Sequence, residues 1–183
     1  RWSPDGSHVL FVAHRSDGYF VASHDVATGN VSRLFTAPDK ANLCAVAWSP
    51  HGKQFAGITR EQRNQVHVIA HLMPFPRTEM PRLFRQMDGP NAGTFGPVAW
   101  LGSHLWFEAD GALQLNTMDG SVRRVEQQLD ETLATIGAFG DGIGYVAIKR
   151  QSQPEQWEIG RLDPLTLQRT PLYTHETFPD RRL

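Results

Sequence analysis

The chain has 183 residues with 40% hydrophobic and 20% charged side chains, a formal net charge of −1 and a pI near 6.8. That composition fits an ordinary folded domain and excludes disordered and fibrous classes. The near-neutral balance offers no general attraction to nucleic acid or anionic membranes, and no apolar run approaches the roughly 18 residues of a membrane span.

The chain opens on "RWSPDGSHVLFVA", and part of the phrase returns as "AWSPHGKQFAGIT". Four aromatic anchors head similar stretches: Trp2, Trp48, Trp100 and Phe139, at spacings of 46, 52 and 39 residues. Periods near 40 to 50 residues mark propeller blades of four antiparallel strands. Each anchor is followed by a tight turn: Ser3-Pro4-Asp5-Gly6, Ser49-Pro50-His51-Gly52, Gly102-Ser103 and Gly140-Asp141-Gly142. Proline presets φ for such turns and glycine accepts positive φ, so these residues reverse the chain.

Short apolar strands follow at 9–13, 55–59, 105–108 and 145–148. After a polar connection come strands at 19–24, 65–70, 112–117 and 156–162. A second turn, "DVATGNV", "TMDGSV" or "LDPLTLQ", leads into closing strands at 31–35, 81–85, 121–126 and 168–173. Strands of this length between Gly, Asn, Asp and Pro clusters predict an all-β fold. The expected blades are 1–37, 42–86, 94–127 and 132–174, within a single partial propeller over 1–183. "QQLDETLATI" comes nearest to helical periodicity, at about one or two turns. "HLMPFPRTEMPRLF" carries three prolines and reads as a loop or edge, because proline cannot donate to a ladder.

"WSPDG" before "HVLFVA", then "GYFVASHDVATGNVSRLF", resembles the TolB-like β-propeller repeat, a relative of the WD-repeat. The first unit matches at Ser3, Pro4, Asp5, Gly6, Asp25 and Gly29. The second keeps Ser49, Pro50 and Gly52, with His51 where the family has Asp; the last two keep only anchor, turn and rhythm. The resemblance implies that Trp-Ser-Pro-Asp-Gly closes a blade's first strand, and propellers of six or more blades. "HETFPDRRL" then reads as the lead into another first strand. Either it completes the first blade of a four-blade ring or the chain is a piece of a larger propeller, and the piece is the expectation.

Trp2, Pro4, Asp5, Gly6, Trp48, Pro50, Gly52, Trp100 and Phe139 are structural repeat anchors, and the aromatic ones are expected to pack between blades. Asp5, Asp17, Asp110, Asp119 and Asp141 precede glycine, which turn chemistry explains. Cys44 is the only cysteine, so no internal disulfide forms, and its "NLCAVAW" setting suits a small buried side chain. His67 and His71 are four apart, but on a strand that spacing is not a helical zinc pair. His8, His51 and His104 fall beside first turns and read as surface residues. His24 and His67 fall at similar points of the third strand. No GxSxG elbow or phosphate loop is present, and Asp130-Glu131 sits in an apparent loop without glycosidase geometry.

These readings assign no catalytic residue, metal or cofactor. They lead to a non-enzymatic binding or sensor domain, with a protein or peptide partner or else a small-molecule ligand. Direct nucleic-acid contact and a membrane span are not expected. The implied parents are bacterial and extracytoplasmic: a TolB-like periplasmic scaffold or the sensor part of a CadC-type membrane-spanning regulator. The alternative is the gating propeller of a prolyl oligopeptidase-family peptidase.

Overall fold

In the computed structural model, the described residues are 1–38, 41–62, 66–76, 82–89, 98–108, 112–127, 131–139, 141–149 and 155–177. They form four antiparallel sheets, and the chain divides into two compact units, Arg1–Phe95 and Gly96–Leu183.

The first unit holds two sheets. One is β1 (His8–Arg15), β2 (Gly18–Asp25) and β3 (Val31–Thr36), in that order. Ahead of it, Trp2 forms an isolated bridge to Val9, flanked by Ser3 N–H to His8 O and Leu10 N–H to Arg1 O at 2.8 Å each. The other is β4 (Ala41–Trp48), β5 (Gln54–Gln62), β6 (Val66–Pro74) and β7 (Arg82–Gly89). Alternation sends every second side chain inward. Leu10 and Val21 of one sheet meet Val46, Trp48 and Phe55 of the other in a buried core, with Phe75 packed against it.

The second unit repeats the plan. Strands β8 (Ala99–Leu101), β9 (His104–Glu108), β10 (Ala112–Asn116) and β11 (Val122–Arg124) form one sheet. The other comprises β12 (Glu131–Phe139), β13 (Gly142–Lys149), β14 (Glu155–Leu162) and β15 (Arg169–Thr177). Trp106, Ala112 and Val125 face Leu133, Ile143, Tyr145 and Leu162 across their shared core. On the edge strand β15, Pro171 stands opposite Gly160 beside a register shift at Ile159/Gly160.

Three predicted segments are placed by the structure. The stretch nearest to helical periodicity, 127–136, whose Asp130-Glu131 read as loop, contributes residues 131–136 to β12. Its inward Leu133 is fully buried, and that burial outweighs a helical pattern too short to sustain itself. The proline-containing insertion begins as strand: β6 continues to Pro74, because Leu72 and Met73 are both buried and Pro74 closes the pairing opposite Gln54. Residues 77–81 lie outside the described ones. The segment read as the lead into a new first strand is also reassigned in part, since His175–Thr177 pair with β14 as the end of β15.

Candidate functional site

The site with the most chemistry lies in the second unit, where the turn between β14 and β15 meets the end of β11. Three such turns share one construction. Asp25 Oδ1 accepts from the N–H groups of Ala27 and Thr28 at 2.9 Å each, and Asp163 Oδ1 from those of Leu165 and Thr166 at 2.8 Å each. Asn116 Oδ1 accepts from Met118 N–H at 2.9 Å. Each turn closes with an N–H to C=O bond of 2.9 Å, from Gly29 to Asp25, Gly120 to Asn116 and Leu167 to Asp163. The closing residue has φ of 73°, 78° and 61°. Glycine takes that left-handed conformation freely, whereas a leucine is strained there by roughly 1–2 kcal/mol. Leu167 is the only non-glycine residue with positive φ among those described, and its side chain packs against the core of the unit. The hydrogen bonds from Thr166 and Leu165 N–H hold the Asp163 carboxyl below its usual range.

This turn is fastened to the neighbouring sheet. Gln114 Nε2 donates to Pro164 O at 2.5 Å, and Arg123 Nη1 donates to Leu165 O at 2.8 Å. Between turn and sheet lies a cleft of about 600 Å³. Its β11 side presents Arg123, Arg124, Glu126 and Gln127; its turn side presents residues 166–169.

Arg169, at the inner end of that wall, is the centre of a buried charge cluster spanning the last sheet. Its Nη1 and Nη2 donate to the two Glu131 carboxylate oxygens at 2.8 and 2.7 Å, and Nη2 also reaches Glu158 Oε1 at 2.9 Å. Tyr145 Oη donates to the same Glu158 oxygen at 2.6 Å, and the guanidinium lies 4.9 Å from the Tyr145 ring centre. The bonds to Glu131, ahead of those to Tyr145 and Glu158, raise the Arg169 pKa despite burial. Burial first, then the bond to Glu158, pushes the Tyr145 hydroxyl up to about 12. Gly160 makes room for this arrangement: a Cβ there would stand 2.5 Å from Tyr145 Oη. Two carboxylates engage the guanidinium and the Tyr145 ring lies over it, so the cluster is a scaffold element that fixes the inner wall of the cleft.

The first unit has its own cleft of about 550 Å³ where the β1–β2 turn meets the β3–β4 link, lined by His14, Asp17, Tyr19, Pro38 and Asn42 among others. Arg33 Nη1 donates to Asp17 at 2.6 Å, which lowers the Asp17 pKa. Deeper in this unit, His71 is 2% exposed, with Nε2 and Thr59 Oγ1 2.7 Å apart and the Phe35 ring of the other sheet at 4.8 Å. Its Nδ1 has no hydrogen-bond partner. Burial lowers the His71 pKa to about 4. The folded state therefore resists a proton that the unfolded chain accepts near pH 6.5. Stability should be unaffected above pH 6.5 and fall as pH drops toward 4, by on the order of 2–3 kcal/mol. Urea melts of the protein and of His71→Gln across pH 4–7 check this; parallel slopes would remove His71 as the cause.

No family model and no curated protein matches the chain. Solved structures do. An oligogalacturonate lyase from Vibrio parahaemolyticus aligns over 95% of this chain and 52% of its own, with TM-score 0.71 and 15% identity. A chain of the mitotic checkpoint complex aligns over 95% and 48%, at 0.61 and 15%. Prolyl oligopeptidase B from Galerina marginata aligns over 93% and 26%, at 0.62 and 11%. All contain β-propellers. The four sheets are propeller blades. The chain spans about half or less of the length of these proteins, and identities this low speak for the fold alone.

The predicted anchors fall into place on these blades. In the first turn, Ser3 Oγ donates to Asp5 Oδ1 at 2.6 Å and Ser7 N–H donates to the same oxygen at 3.0 Å, lowering the Asp5 carboxyl to about 2. Gly6 and Gly52 adopt φ of 72° and 68°, and each donates its N–H to the serine of its turn, Ser3 or Ser49, at 3.0 Å. Pro4 lies against Gly52, so the two turns are neighbours, and Pro50 holds the matching place in the second. Trp48 and Trp100 are buried. Trp2 departs from the expected packing: it is 65% exposed and stands outside the buried core that takes in Trp48. The side chain of Phe139 lies outside the described residues, as do Asp110, Asp130 and the side chain of His67.

Glu131, read as part of a loop, stands buried in β12. His24 is one residue from the end of β2 and His67 one from the start of β6; their expected equivalence is corrected, because β6 runs on to Pro74, past its predicted end at 70. Met73 occupies the place corresponding to His24, opposite Phe55 as His24 is opposite Val9. Cys44 lies at the β4 register shift, half-buried, with its thiol pushed up to about 11 by burial. Among the described residues, no three His, Cys, Asp or Glu side chains gather as metal ligands. The sequence reading did not anticipate the Arg169 cluster, Trp106 or the burial of His71. The one available signal was Leu167, a leucine in a turn position that its sister turns fill with glycine.

Proposed function

We propose that the chain belongs to a non-catalytic propeller that binds a protein or peptide partner, with a small molecule as the other class of occupant. The observation that carries the reading is the second-unit cleft, a walled recess whose open side presents guanidinium and amide donors. The motif residues Ser3, Asp5, Asp25 and Asp163 are bound into turns and serve architecture. The resemblance of "WSPDG" and its following strands to the TolB-like repeat supports a bacterial, extracytoplasmic setting. The parent is then a periplasmic scaffold or the sensor part of a CadC-type regulator.

A second reading has its own support. The similarity to prolyl oligopeptidase B covers most of this chain and only 26% of that one, as a gating propeller attached to a peptidase domain would. A downstream GxSxG in the parent favours the peptidase, and an upstream winged helix with one hydrophobic span favours the regulator.

Probing the protein on an array of acidic, neutral and basic peptides, with mass spectrometry of each spot, tests the first reading. Retention of intact peptides is expected. If no peptide of any composition is retained, the binding assignment fails. Cleavage after proline by the parent, blocked by a serine-reactive fluorophosphonate, would establish the second reading instead.

A further inference from the structure

We infer that the cleft between the end of β11 and the β14–β15 turn is a binding site for a short acidic peptide segment, held through its carboxylates by Arg123. The inference rests on the binding reading above and gives its partner a chemistry.

The cleft is built. Its turn wall is tied to the opposing sheet at two points, Gln114 to Pro164 and Arg123 to Leu165. The same wall contains Leu167, the left-handed leucine, where sister turns use Gly29 and Gly120. Backbone strain persists where surrounding structure enforces it, and it gathers at ligand clamps. Behind the wall Arg169 is locked by Glu131 and Glu158, so the recess keeps its shape without a ligand. A volume near 600 Å³ lies within the range of small-ligand pockets.

The lining selects the ligand. Arg123 is exposed, and its bond to Leu165 uses one of the five donors that a guanidinium offers. Guanidinium forks match carboxylates in planar pairs. Gln127 and Gln168 add amides that can both donate and accept, which suits a peptide backbone. Arg169 adds no net attraction, since its charge is already met by two glutamates. The selective charge therefore sits at the mouth, on Arg123, with Glu126 opposing. An acidic side chain at the mouth with its backbone along the amides satisfies both parts.

The test uses fluorescein-labelled peptides alternating Glu with Gly, their Gln-for-Glu counterparts, and an oligouronate as a non-peptide source of carboxylates. In polarisation assays the acidic peptide should bind at least tenfold more tightly than the Gln peptide, and less tightly as salt rises. Arg123→Glu should cost at least tenfold in affinity, and Arg123→Gln, which keeps a donor for Leu165, should cost less. Thermal melts of both variants separate lost binding from lost folding. Equal affinity for acidic and neutral peptides would overturn the inference while leaving peptide binding intact. So would full affinity in a folded Arg123→Glu variant. An oligouronate that binds more tightly than the acidic peptide would overturn the assignment to a peptide.

Discussion

Arg169→Leu should destabilise the protein by about 3–5 kcal/mol, although it replaces one long side chain by an apolar one in a largely apolar core. Glu131 is fully buried at its side chain and faces the guanidinium with both oxygens. Taking the cation away leaves two carboxylates and their desolvation cost without the charge that offsets it. Replacing Glu131, Glu158 and Arg169 together by apolar residues of similar volume should recover most of the loss, since a whole ion cluster can be exchanged for packing at little cost. Urea unfolding with unchanged m-value measures these differences. A single variant within about 1 kcal/mol of the parent protein would show that the cluster carries little.

Trp48→Ala should cost about 3–5 kcal/mol, whereas Trp2→Ala should stay within about 0.5 kcal/mol. The two tryptophans head the same Ser-Pro-x-Gly phrase. Trp48 stands edge-on to Phe55 and Phe75, with ring centres 6.1 and 4.9 Å away, and donates from Nε1 to Arg1 O at 3.1 Å. Truncation removes a large buried surface and opens a cavity between two sheets. Trp2 gives up an exposed ring. Calorimetric melts of the two variants decide the matter, and equal shifts would mean that the motif, and not its burial, sets the energetics.

Strand order was legible because its signals are local. Pro4-Asp5-Gly6, Asp25 to Gly29 and Asp119-Gly120 encode reversals through side chains that bind their own turn. The strands between them followed within a few residues. Local signals also misled. Proline at 74 suggested a loop, but the burial of Leu72 and Met73 carried β6 through to it. The candidate site was less legible, for a geometric reason. Arg169, Glu158, Tyr145 and Glu131 come from four different strands and meet only when the sheet has formed. No spacing rule connects them. His71 illustrates the same limit: its neighbours Thr59 and Phe35 lie on other strands, and alternation alone does not distinguish a buried histidine from a surface one. Trp2 and Trp48 share a phrase, yet burial depends on what stands beside each, which the phrase does not contain.

The last edge strand bears on edge-to-edge association between chains. Along β15 residues 170–176 are all exposed, and they include Leu172 and Tyr173. An exposed edge of that kind is a template onto which a stray chain can pair. Pro171 removes one amide hydrogen from the strand, and the register shift beside it breaks the regular repeat that cross-β stacking requires. A stray strand docking there would lose alignment partway along. The irregularity that offsets the ladder inside one molecule thus acts as a guard against endless ladders among many.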